Sequence, residues 1–130
     1  MTSTARILVI DDDPDFVEFV RIILEAGGYT VFCAYNAEQG LELLRLERPD
    51  LVLLDMLMSY SMAGPEVTRT MQQDAELRTI PLIVISSVFT DKQAIEQQET
   101  FAFVSAFLTK PVEPSDLVQL IEKTLASDNP

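Results

Sequence analysis

Aspartates stand at two strand ends where they could share one cation. Asp11, Asp12 and Asp13 follow the apolar run Ile7-Leu8-Val9-Ile10, and Asp55 closes a second run, Leu51-Val52-Leu53-Leu54. Unbroken apolar runs read as strands buried on both faces, the kind that build a mostly parallel sheet under helices. In such sheets the ligand crevice lies beyond the carboxyl ends of the strands. Asp11, Asp12 and Asp55 would all sit there. Two carboxylates about 4 Å apart repel by roughly 4 kcal/mol at an effective dielectric near 20, so three together call for a compensating cation. Ligands that are all oxygen favour a hard ion, and Mg2+ is the usual one where phosphate chemistry is near. Asp13 has a different reading: it precedes Pro14 and a helical pattern, which makes it a helix cap before it is a metal ligand.

The elements that must hold these residues follow from periodicity. Strands are expected over Arg6 to Asp11, Thr30 to Ala34, Leu51 to Asp55, Leu82 to Ser86 and Ala106 to Thr109. A first helix carries Phe16, Val17, Val20, Ile23, Leu24 and Gly27 on one stripe and ends at Gly27-Gly28. Asn36 should cap a second helix, with Ala37, Leu41 and Leu44 inward and a stop before Pro49. A third runs from about Gly64 to Asp74 on Val67 and Met71, and a fourth from Asp91 to about Phe101. The last spans Pro114 to Ala126, with Leu117, Val118, Ile121 and Leu125 inward. Strand and helix in alternation predict an α/β fold, doubly wound, with five parallel strands and helices on both faces. Connections this short leave no room for a second domain, so residues 1–130 read as one, with 1–4 and 127–130 fraying.

Composition narrows the function. The formal charge is -12, from 21 acidic against 9 basic residues, and no basic stripe is visible. Direct nucleic-acid binding is therefore a poor fit. No apolar run could span a bilayer and the N-terminus lacks the layout of a secretory signal, so the expectation is a cytoplasmic protein without a membrane partner. Cys33 stands alone in a chain without histidine, and reads as a small core hydrophobe.

Two further strand ends carry polar groups. Pro81-Leu82-Ile83-Val84-Ile85 closes on Ser86-Ser87, and Phe107-Leu108-Thr109 closes on Lys110-Pro111. An acidic pair, a lone aspartate, a hydroxyl and a Lys-Pro at the ends of core strands form a far more specific set than any one of them. With that set the chain resembles the receiver domain of two-component response regulators, across essentially its whole length. The resemblance, and not periodicity, implies the flavodoxin-like strand order 2-1-3-4-5. It also implies that Asp55 accepts a phosphoryl group from a phosphohistidine on a sensor kinase or phosphotransfer protein. Asp11 and Asp12 match the pair that holds Mg2+ with Asp55, and the backbone carbonyl of Leu57 matches a further ligand. Ser86 matches the switch hydroxyl, Lys110 the phosphoryl-binding lysine and Phe107 the switch aromatic. Leu57 and Val88 fall two places beyond the acceptor and the switch hydroxyl, where receivers tune dephosphorylation. Neither side chain can orient water, so a long-lived phosphoryl group is expected.

The chain departs from that pattern in two stretches. The segment Asp55-Met56-Leu57-Met58-Ser59-Tyr60-Ser61-Met62-Ala63-Gly64 has Ser59 where receivers have proline, Ala63 where they have aspartate, and one residue more. A fixed backbone angle is lost next to the metal. Before the last strand, Phe103-Val104 replaces a common Gly-Ala. Phe101, Phe103 and Phe107 then crowd the face of the fourth helix and fifth strand. With the fifth helix, that face is expected to meet a downstream protein target.

Two rivals to a signalling phosphoacceptor are kept. One is a pseudo-receiver, a binding module of the same fold that takes no phosphate. The other is an aspartyl-phosphate phosphatase, which would want Asp-x-Asp after the first strand, a spacing that Asp11 and Asp13 satisfy. A flavin site is excluded because the first loop is acidic where a phosphate needs donors. The receiver reading implies at most self-phosphorylation and self-dephosphorylation, not an enzyme with an external product.

Overall fold

In a computed structural model, residues 5–55, 63–86 and 104–127 are described. Five strands, β1 (Arg6–Ile10), β2 (Thr30–Ala34), β3 (Leu51–Asp55), β4 (Leu82–Ser86) and β5 (Ala106–Thr109), pair in parallel in the order β2-β1-β3-β4-β5. Successive side chains of a strand point to opposite faces, and the two cores divide accordingly. Leu8, Ile10, Val52, Leu54, Leu82 and Val84 face one side, and Ile7, Val9, Leu51, Leu53, Ile83 and Ile85 the other. The first face is covered by Leu44 of α2 (Ala37–Glu47) and by Val67 and Met71 of α3 (Ala63–Gln73). The second is covered by Val17, Val20 and Leu24 of α1 (Pro14–Ala26) and by Leu117 and Ile121 of α4 (Pro114–Ser127). Each such side chain, fully buried, contributes roughly 2 kcal/mol. This is the doubly wound architecture expected from the alternation of runs.

Helix boundaries follow local chemistry. The Asp13 side chain accepts hydrogen bonds from the backbone N–H groups of Asp15 and Phe16, and Pro14 takes the first helical position. At the other end Tyr29 N donates to the Leu24 carbonyl and Gly28 N to that of Glu25, with Gly28 at φ 94°. That pair of bonds is a Schellman closure, which needs the left-handed residue. Gly27, expected on the buried stripe, is exposed, because the helix has already ended there. Asn36 caps α2 through Gln39 N, and Arg48 at φ 45° ends it before Pro49.

The remaining differences from the sequence reading are small. β1 stops at Ile10, so Asp11 lies beyond the strand, and α3 sits one residue earlier than expected. A 3-10 turn at Leu77–Thr79 was not anticipated. Its start is held by Asp74, whose carboxylate accepts from Glu76 N and Leu77 N, and these bonds hold its pKa below the usual value. The helix expected from Asp91 to Phe101, with Phe103, lies outside the described residues.

Gly40 is buried where α2 crosses β1. A Cβ there would come within 2.6 Å of Ile10 Cδ1, 3.0 Å of its Cγ1 and 3.2 Å of its Cγ2. Ile10 is fully buried and stiff at χ1, so it has little room to turn away. Overpacking of about 2 kcal/mol then outweighs the roughly 1 kcal/mol by which alanine is the better helix former. Gly40→Ala should therefore lower the denaturant midpoint. A midpoint equal to or above the parent's would mean that Ile10 repacks freely.

Candidate functional site

The sheet register brings the chemistry to one edge. Ile10 lies opposite Ala34 and Leu54, Asp55 opposite Ile85, and Ser86 opposite Thr109. Residues just past β1, at the end of β3 and just past β5 therefore share one rim. Asp11 N extends the ladder by one bond, donating to the Ala34 carbonyl at 3.1 Å, which fixes the start of the loop carrying the acidic pair.

Carboxylate oxygens of Asp11, Asp12 and Asp55 all lie within 4.8 Å of one another. Asp11 is 1% exposed and Asp55 6%, while Asp12 is half-buried. Asp11 uses one oxygen to accept from Asp13 N at 2.9 Å and the other to accept from Lys110 Nζ, also at 2.9 Å. The ammonium lies 3.9 Å from an Asp55 oxygen and 4.3 Å from the centre of the Phe16 ring. One cation thus has two buried carboxylates and an aromatic face close by.

Of the expected site residues, the fold gathers Asp11, Asp12, Asp55 and Lys110, residues as far apart in sequence as Asp11 and Lys110. Ser86 closes β4 in register with Thr109, so its backbone belongs to the same rim. Phe107 is partly buried and packs against the core on the α2–α3 face. Leu57 and Val88 lie outside the described residues, as does most of the unusual segment after Asp55. Asp13 is the cap of α1 and is not among the clustered carboxylates. Cys33 is half-buried against the α1–α4 core, and burial pushes its thiol pKa up. A small hydrophobe fits that place.

Phe16 was read from the sequence only as a core residue. Its ring also borders Lys110, because Asp13 caps the helix immediately after the acidic pair and the first turn of α1 lies beside the strand ends.

Three oxygen-bearing side chains around one point suit a hard divalent ion, and by their charge they suit Mg2+ better than a softer metal. Among the described residues, no helix is long and apolar enough to cross a membrane.

Comparison with known proteins agrees with this geometry. The response regulator receiver domain family matches residues 7–122. Protein PilH of Pseudomonas aeruginosa is 34% identical over 122 residues, covering 94% of this chain and 98% of PilH. Among solved structures, a putative response regulator from Chloroflexus aurantiacus superposes with a TM-score of 0.84 at 26% identity, covering 95% of this chain and 99% of that one. A signal receiver domain of a histidine kinase from Syntrophus aciditrophicus gives 0.83 at 30% identity, covering 95% and 92%.

Proposed function

The chain belongs to the family of response regulator receiver domains, and from that premise we propose that it is a working phosphoacceptor, with Asp55 taking a phosphoryl group from a phosphohistidine. The observation that carries this reading is the pairing of three clustered carboxylates with the Lys110 ammonium, 2.9 Å from Asp11 and 3.9 Å from Asp55. A pseudo-receiver has no need of a buried acceptor, an acidic pair and a lysine on one rim. In the step proposed, an Asp55 oxygen attacks phosphorus, the P–N bond of the donor breaks and the imidazole leaves. Lys110 would hold the equatorial oxygens of the transferring group as a point charge.

Asp11, Asp12 and Asp55, with the Leu57 carbonyl, would hold Mg2+, whose charge screens the acidic cleft against an incoming phosphoryl dianion. The donor would be a sensor histidine kinase or a phosphotransfer protein. Ser86 would bind the new phosphoryl group, and a signal would pass through Phe107 to a protein target on the β5 side. Leu57 and Val88, neither able to orient water, would make the phosphoryl group long-lived. Signalling by a changed surface, in the cytoplasm, completes the reading.

Intact mass after incubation with a small phosphodonor tests it. The expected result is a gain of one phosphoryl group with Mg2+ present and none once the divalent ion is chelated. Absence of any gain with Mg2+ would favour the pseudo-receiver instead.

A further inference from the structure

We propose that Phe16 is a positioning residue for Lys110, its ring face holding the ammonium where it can pass from Asp11 to the phosphoryl group on Asp55. The inference rests on the phosphoacceptor reading and adds to it a residue outside the acidic cluster and the strand ends.

Lys110 is a long, flexible side chain with three N–H donors, and its amine is a strongly hydrated point charge. Here its side chain is only 20% exposed, so much of that hydration is gone. Asp11 supplies one partner at 2.9 Å; Asp55, at 3.9 Å, is beyond hydrogen-bonding distance. The Phe16 ring, 4.3 Å away, supplies another. An aromatic face attracts a cation through its quadrupole, within about 6 Å of the ring centre. That attraction needs the cation over the ring face but makes little demand on how the ammonium is turned. A hydrogen-bonded partner would tie the ammonium to one orientation, whereas a ring lets it tilt between oxygens without losing the contact behind it.

Phe16 is itself held. Its backbone N–H donates to the Asp13 carboxylate in the cap of α1, and its side chain packs against the core that α1 shares with α4. The ring therefore stands at a fixed place beside the acidic pair. Leucine would keep the apolar contact with that core and lose the π face. Tyrosine would keep both.

Two measurements test the role. Phosphorylation by a small phosphodonor in Mg2+ should slow roughly three- to tenfold in Phe16→Leu and stay within about twofold of wild type in Phe16→Tyr, the loss expected for one partly desolvated cation–π contact. Independently, the chain has three lysines, Lys92, Lys110 and Lys123. In the metal-free protein, one set of lysine Cε proton resonances should be shifted upfield by the ring current, should remain so in Phe16→Tyr, and should return to the ordinary position in Phe16→Leu. A Phe16→Leu rate equal to wild type, a Phe16→Tyr rate as slow as Phe16→Leu, or the lack of an upfield lysine resonance would overturn the proposal. If wild type takes no phosphoryl group while the upfield resonance is present, it is the phosphoacceptor reading that fails, and Phe16's part in that reaction falls with it.

Discussion

Asp55→Asn is expected to abolish the mass gain from a phosphodonor and, in the same protein without metal, to raise the melting temperature. The two effects have one origin. An amide keeps the shape of the carboxylate but is not a nucleophile, so the proposed acceptor would be gone. It also removes one of three clustered negative charges. At an effective dielectric near 20, two charges at the 4.8 Å that bounds this cluster repel by about 3.5 kcal/mol. Asp55 meets two such neighbours, together about 7 kcal/mol, against about 4 kcal/mol of attraction to Lys110 at 3.9 Å. Between these charged groups the balance is unfavourable, and solvent at the rim together with the other contacts of Asp55 reduces it to a gain of about 1–2 kcal/mol for the neutral variant. That corresponds to a rise of about 5 °C. A mass gain that persists in Asp55→Asn would move the acceptor elsewhere. A lower metal-free melting temperature would mean that Asp55 is held by favourable contacts which outweigh the repulsion.

The fold was legible because its three central strands are buried on both faces. Ile7 to Ile10, Leu51 to Leu54 and Leu82 to Ile85 have no polar interruption, and helical stripes such as Val17, Val20 and Leu24 pack where their spacing placed them. Caps were legible for a local reason: Asp13-Pro14 and Asn36 act on amides two or three residues away. What depended on distant geometry was not legible. The Leu77 turn arises because Asp74 finds two amides after α3 ends. The closeness of Gly40 to Ile10 is a property of helix against strand, invisible in either segment alone.

At the site the same division holds. Acidic strand ends announced Asp11, Asp12 and Asp55, and Lys110-Pro111 announced the cation. The strand order that sets them on one rim came from family resemblance, since periodicity alone leaves the winding open. The identity of Lys110's neighbours was not legible. That it sits closer to Asp11 than to Asp55, with Phe16 beside it, depends on how α1 leaves the acidic loop.

Lys110→Met should act on stability in the opposite sense to Asp55→Asn, and by more. Methionine keeps an unbranched apolar chain of similar reach, so packing against Phe16 is largely preserved and the charge is what disappears. Asp11 is 1% exposed and would keep the bond from Asp13 N, but its other oxygen would face two carboxylates with no cation. Removing one partner of a buried ion pair costs about 3–5 kcal/mol. Lysine's side chain is 20% exposed here and Asp12 is only half-buried, which brings the expected loss to about 2–3 kcal/mol, or about 8 °C in melting temperature. Mg2+ at a hundredfold excess over its dissociation constant returns about 2.7 kcal/mol. The two magnitudes match, so saturating Mg2+ should bring Lys110→Met close to metal-free wild type, and a double change with Asp12→Ala should recover part of the loss without any metal. A metal-free Lys110→Met protein that melts with wild type would show that solvent, not Lys110, compensates the buried carboxylates, and would remove the electrostatic basis of the site drawn above.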